Sequence, residues 1–208
     1  MKPSAEPDPE ELLRQAQAGS GAALGRLLEM YRNYLAVLAR LQIGRRLQGK
    51  ADPADLVQET FLKVHRDFAS FRGQSEGEFV NWLRRILAAN LAQLVRRYLG
   101  TKRRDLRLER ELAVELDQSS RLLDGGLVAP QKSPSSPSRQ AIRREQAVRL
   151  ADALGQLPEH YREVMVLHHL EGLTLSEVAR RMQRTDDSVE KLWARGLIQL
   201  RRILGGES

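Results

Sequence analysis

The chain has 208 residues and no cysteine, which excludes a disulfide framework and a thiolate zinc site and suits a reducing compartment. No apolar run approaches the length that crosses a bilayer. The acidic start, MKPSAEPDPEELL, lacks the apolar centre of a signal peptide. The expectation is a soluble, cytoplasmic protein without membrane insertion. Extended Val/Ile/Thr alternation is almost missing and no internal repeat is visible, so the fold class expected is all-α. Phosphate-binding glycine loops, a nucleophile elbow and an HExxH helix are all missing. His168 and His169 are adjacent, so on a helix they point about 100° apart and cannot share one metal without distant partners. No catalytic residue, metal or cofactor is expected, and the chain reads as a non-enzyme.

What is present is positive charge. Lys and Arg number 34 against 27 acids, a formal net charge of +7, which favours a polyanionic partner. Charge alone does not separate nucleic acid from a membrane surface.

The segment from Leu157 to Leu204 reads as three consecutive helices, the last pair at helix-turn-helix spacing. Pro158 stands in a first turn, where its missing N–H costs nothing, and Gly172 is the stop. Thr174-Leu175-Ser176-Glu177 has the form of a capping box. After a break at Gln183 and Arg184, Thr185 caps a third helix whose first turn holds Asp186 and Asp187, where the helix dipole favours negative charge. Val189, Leu192, Trp193, Gly196, Leu197 and Leu200 make its inward side. Asp187, Ser188, Lys191, Arg195 and Arg202 face the other way, which suits a helix lying in a major groove. The plainer alternative is a helical bundle with a solvated charged face.

Helical periodicity fades from Asp117 to Gln140, a stretch with six serines, three prolines and Gly125-Gly126. Such a composition reads as flexible. Fully stretched, its 24 residues reach about 80 Å. The expected organisation is two small helical domains, 1–112 and 141–208, joined by a flexible linker, 113–140, with a helix-turn-helix in the second.

In the first domain, Glu10 to Ala18 and Ala22 to Leu41 read as two helices broken at Gly19-Ser20-Gly21. Asp52 then caps a helix with Pro53 at its first position. Leu56, Phe61, Leu62 and Val64 supply its apolar contacts, while Asp55, Gln58 and Glu59 share one face at i, i+3 and i+4. A further helix, EFVNWLRRILAANLAQLVRRYL, follows Phe71-Arg72-Gly73. From Arg96 to Arg110 seven basic residues stand against two acids, with Phe71, Phe79, Trp82 and Tyr98 nearby. Rings among cations can hold unstacked bases while the cations track phosphates. Equally, Phe79 and Trp82 read as ordinary core.

DPADLVQETFLKVHRDFASFRG, EFVNWLRRILAANLAQLVRRYLGTKRR, LPEHYREVMVLHHLEGLTLSEVARRM and TDDSVEKLWARGLIQLRRIL, in that order, resemble a bacterial RNA polymerase sigma factor of the small extracytoplasmic-function group. The resemblance implies a protein that binds core RNA polymerase and directs promoter-specific initiation. It implies Asp55, Gln58 and Glu59 as contacts to the β′ clamp helices, with the β subunit as a further partner. Capture of the promoter −10 element as single strand is implied for Arg72, Trp82, Arg84, Arg85, Asn90, Arg96, Arg97, Lys102, Arg103 and Arg104. Reading of the −35 element is implied for Arg184, Thr185, Ser188, Lys191 and Arg195. Many members are held inactive by an anti-sigma factor, so the resemblance admits one as a partner. Where many carry an aspartate shortly after the asparagine, this chain has Gln93 and Leu94, and that role is not carried over. The rival readings are a helix-turn-helix regulator acting without polymerase and a basic RNA-binding or scaffold protein.

Overall fold

The computed structural model describes residues 8–47, 51–99, 106–124 and 137–205, and every regular element among them is helical. Helix α1 (Pro9–Gln17) starts where the Asp8 carboxylate accepts the Glu10 N–H, with proline at the first position. Ser20 caps α2 (Gly21–Met30) through the Ala23 N–H. A single helix was expected from Ala22 to Leu41. The chain instead breaks at Tyr31 and restarts as α3 (Arg32–Leu47). Neither glycine nor proline marks this corner. Tyr31 is buried there, and its hydroxyl donates to the Glu76 carboxylate at 2.7 Å, a tertiary anchor invisible to periodicity. Burial, reinforced by the Glu76 charge, pushes the Tyr31 phenol well above its ordinary range.

Helix α4 (Pro53–Asp67) begins as expected at Asp52, whose carboxylate accepts the Ala54 N–H at 2.8 Å. A 3₁₀ turn, Phe68–Ser70, and a short loop lead into α5 (Glu76–Leu99). Leu56, Val64, Phe79, Leu83, Leu87 and Leu91 are buried between α3, α4 and α5.

The expected linker needs correction. Helix α6 (Leu106–Asp124) runs through the 112/113 boundary, and α7 (Pro137–Gln156) runs through 140/141. Residues 125–136 lie outside the described residues. Leu112, Leu116 and Leu123 are fully buried on a helix that packs against α3, α5 and α7. Each contributes about 2 kcal/mol on burial, against a helix-propensity cost of about 0.5 kcal/mol for a serine. Ser119 and Ser120 are themselves buried and receive hydrogen bonds from Gln42 and Arg84. Serine content hid a helix that its tertiary partners stabilise.

Helix α8 (Glu159–Met165) widens into one π-helical turn, Val166–Leu170, and Gly172 reverses the chain at φ +76°. Helices α9 (Leu175–Met182) and α10 (Asp186–Gly205) complete the chain. The main core runs through α1–α6 and on into α7 and the end of α8. A second, smaller core of Val164, Leu167, Val178, Ala179 and Val189 lies between α8, α9 and α10, and Trp193 packs against both cores. Polar ties cross between the halves: Asn33 donates to Asp152 at 2.9 Å, Arg144 pairs with Glu76 at 3.2 Å, and Arg181 donates to the Gly44 carbonyl at 2.7 Å. No helix among the described residues is long and apolar enough to cross a membrane.

Candidate nucleic-acid and polymerase interfaces

The C-terminal surface follows from its caps. Thr174 and Glu177 form the expected capping box, with Glu177 accepting the Thr174 N–H at 2.8 Å and Thr174 accepting the Glu177 N–H at 3.3 Å. The Thr174 N–H and hydroxyl, both donating to the Glu177 carboxylate, hold it below its ordinary value. Helix α9 ends in a Schellman motif: the Arg184 N–H reaches the Ala179 carbonyl and the Gln183 N–H reaches Arg180. Gln183 takes the left-handed position at φ 54°, where glycine is usual. Ser176 then donates to Asp186 at 2.6 Å, fixing α9 against the start of α10.

Thr185 caps α10 by accepting the Ser188 N–H at 3.3 Å. Val189, Gly196 and Leu200 point inward, and a Cβ at Gly196 would stand 3.3 Å from Tyr161, so glycine permits the close α8–α10 approach. Arg184, Thr185, Lys191 and Arg195 are exposed and Ser188 is half-buried, all around the N-terminal half of α10. Lys191 pairs with Asp187 one turn back at 2.6 Å. Both groups are largely exposed, and such a pair is worth so little that a phosphate can displace it. At the back of the helix, the Trp193 indole donates to His169 at 3.1 Å, and His168 bonds the Leu173 carbonyl through Nδ1 at 2.7 Å. Burial, then the neighbouring His168, lowers the His169 pKa. Among the described residues no group of three or more His, Cys, Asp or Glu could hold a metal ion.

On α4, Asp55, Gln58 and Glu59 are all exposed. Leu62, expected among the apolar contacts, is instead 66% exposed. It follows Asp55 by seven residues, at the centre of the same face. Sequence reasoning misplaced it because any leucine on an amphipathic helix reads as core. The i+7 spacing from Asp55 was the available signal.

The residues expected at the −10 strand fall into four groups. Arg72, Arg85 and Arg97 are exposed, and Trp82 is half-buried in a cluster with Phe68, Phe71 and Phe79, its ring 5.0 Å from that of Phe71. Phe79 is wholly buried and belongs to the core. Arg84 and Arg96 turn onto α6 instead. Arg84 bonds Ser120 and Asn81 and pairs with Asp117 at 3.3 Å, while Arg96 meets Glu109 at 3.5 Å. Asn90 is a clearer correction. It is 6% exposed and donates to the Thr60 hydroxyl at 3.1 Å, which itself donates to the Leu56 carbonyl. Its amide is packed between α5 and α4 rather than lying on the surface where a strand contact was expected. Lys102, Arg103 and Arg104 lie outside the described residues.

Beside the aromatic cluster, a cavity of about 580 Å³ opens between the α1–α2 corner and the loop before α5. Gln17, Gly19 and Ser20 form one wall; Phe68, Phe71 and Arg72 form the other. Arg72 folds back onto the Ala69 and Phe71 carbonyls, and Glu78 accepts the N–H groups of Gln74 and Ser75, which keeps its carboxyl below the ordinary value.

A basic helix-turn-helix on an all-α chain defines the class, a DNA-binding protein, and this chain also carries an exposed acidic face on α4 and a cavity beside an aromatic cluster. The comparisons agree. Residues 29–104 match the family model of sigma-70 region 2, and residues 147–200 match that of sigma-70 region 4. The ECF RNA polymerase sigma factor BldN of Streptomyces coelicolor is 29% identical over 93% of the chain, which spans 65% of that relative's length. RNA polymerase sigma-H factor of Pseudomonas aeruginosa is 30% identical, with 84% of this chain and 82% of that one covered. The Haemophilus influenzae ECF sigma-E factor is 29% identical over 83% of this chain and 82% of its own. Two solved structures are similar at 24% identity: CnrH in complex with the cytosolic domain of CnrY (97% of this chain, 100% of that one, TM-score 0.32) and the RsbN–BldN complex (92% and 98%, TM-score 0.31). The chain belongs to the sigma-70 family and, within it, to the extracytoplasmic-function sigma factors, which direct transcription initiation.

Proposed function

We propose that the chain binds core RNA polymerase through the α4 face of Asp55, Gln58, Glu59 and Leu62, with the β′ clamp helices as the contact. The observation that carries this reading is an exposed leucine with Asp55, Gln58 and Glu59 on the turns before it and His65 and Arg66 on the turn after. An apolar anchor within a polar rim is the usual anatomy of a protein-binding hot spot. The exposed half of α10, with Arg184, Thr185, Ser188, Lys191 and Arg195, enters the major groove of the −35 element. The −10 strand is taken at the other module. Its unstacked bases meet the Phe71–Trp82 aromatic surface and the adjoining cavity, while Arg72, Arg85 and Arg97 attract the backbone. Opening needs no ATP, because captured bases shift the equilibrium from duplex to bubble.

Arg84 and Arg96 act through α6, and Asn90 acts by packing. In this reading none of the three touches the strand; Arg84 and Arg96 hold α5 to α6, and Asn90 holds α5 to α4. Run-off transcription with purified core enzyme tests the whole: a promoter-dependent transcript that requires this chain is expected. Its complete absence across genomic templates overturns the proposal. Co-purification from cells asks whether β and β′ come down with the tagged chain, and an anti-sigma partner would appear in the same material.

A further inference from the structure

The loop from Phe71 to Ser75 is shaped by four restraints. Three come from its immediate neighbours in sequence. Arg72 folds onto Ala69 and Phe71, and Glu78 takes the Gln74 and Ser75 N–H groups. The Phe71 ring and the Glu78 Cβ lie so close to Gly73 that a side chain there would force the ring out of its place among Phe68, Phe79 and Trp82. The fourth comes from 56 residues away: the Gln17 side-chain amide, at the end of α1, donates to the Gly73 carbonyl at 2.7 Å. Gln17 precedes residues 29–104, the span matched to sigma-70 region 2. The α1–α2 corner beyond it turns through Gly19 at φ +101°, a conformation that L side chains rarely adopt. That corner forms the wall of the cavity opposite Phe68, Phe71 and Arg72.

We infer that Gln17 is a positioning residue for strand capture. By tying Gly73 to the end of α1, it fixes the spacing between the α1–α2 corner and the Phe71–Arg72 edge, and so sets which base the cavity accepts. The inference rests on the capture reading of this loop. Gln17 is exposed, so its hydrogen bond adds little to folding stability. Its effect falls on loop geometry, and misplacing a binding group by about 1 Å is enough to erode selectivity.

The experiment uses the full chain bound to core polymerase and a library of short randomised single-stranded DNA, with retained strands sequenced. In Gln17→Ala, preference should flatten by about 3- to 10-fold at one or two adjacent positions, the size of one net hydrogen bond. Preferences elsewhere, core affinity and the thermal midpoint should stay unchanged. Gln17→Lys keeps a donor of similar reach, so it should preserve the wild-type profile while raising affinity uniformly through phosphate attraction. Gln17→Glu presents an acceptor to a carbonyl and should flatten the profile at least as much as alanine. An unaltered profile in Gln17→Ala, or uniform weakening at every position with a lowered midpoint, overturns the inference. If the wild-type holoenzyme itself shows no base preference, the capture reading fails and takes the inference with it.

Discussion

Asn90 separates a packing role from a DNA role more sharply than any other residue in the chain. Its amide lies between α4 and α5 and donates to Thr60, whose own hydroxyl proton goes to the Leu56 carbonyl. Asn90→Ala removes one buried hydrogen bond, a net loss of about 1 kcal/mol. It also leaves a void the size of a carboxamide, worth a further 1–2 kcal/mol on the order of measured core truncations. Thr60 keeps its bond to Leu56, so no donor is orphaned and no larger penalty accrues. The sum is about 2–3 kcal/mol, or roughly 4–12 °C of thermal midpoint for a chain of this length. Thr60→Val should cost a comparable amount, because it strands the Asn90 N–H. The double mutant should then lose less than the two single losses combined, by about 1 kcal/mol. Calorimetric melts of the four proteins measure this. Holoenzyme binding to a pre-opened promoter should be unchanged in Asn90→Ala at a temperature where it remains folded. An unaltered midpoint together with weakened strand binding would refute the packing assignment and return Asn90 to the DNA face.

Four further outcomes are expected. Gln183→Gly relieves a left-handed glutamine and should raise stability by about 0.5–1 kcal/mol without changing DNA affinity; a lower midpoint in denaturant would contradict this. His169 has a lowered pKa, so the unfolded state binds its proton more readily. Stability should therefore be full above the ordinary value of 6.5, fall as pH drops below it, and level off beneath the folded value. Thermal melts of wild type and His169→Gln between about pH 7.5 and 5.5 check this, since glutamine keeps an acceptor for Trp193 without titrating; equal acid sensitivity refutes it. Asp55→Lys with Glu59→Lys, or Leu62→Ser alone, should weaken core binding at least 10-fold in a competition pull-down, leaving the melting curve intact, as expected for truncating a hot spot. Lys191→Ala and Arg195→Ala should each reduce −35 affinity, by about 1–3 kcal/mol if the contact is bidentate to a base and with a shallower salt dependence if it is to phosphate. Unchanged footprints would remove that residue from the interface.

Periodicity and caps carried much of the fold. Asp52-Pro53, Thr174 through Glu177, and Thr185-Asp186-Asp187 begin helices where they stand, because capping is satisfied within four residues of chain and needs no distant partner. The exposed cations of α10 and the acids of α4 were legible for the same reason: helical spacing alone decides which side chains share a face. Tertiary structure decided the rest. The corner at Tyr31 exists because a buried hydroxyl meets Glu76, 45 residues on, and α6 continues through a serine-rich stretch because Gln42 and Arg84 receive it. Arg84 and Arg96 are the same residue type as their exposed neighbours Arg85 and Arg97, yet both face α6, and the polar Asn90 on the same helix is enclosed. Leu62 looked like core and is surface. Local chemistry fixes where a helix starts and which residues it aligns, since those energies arise within one or two turns. Which aligned face meets water, and which meets another helix, depends on contacts made tens of residues away and is settled only when the chain packs.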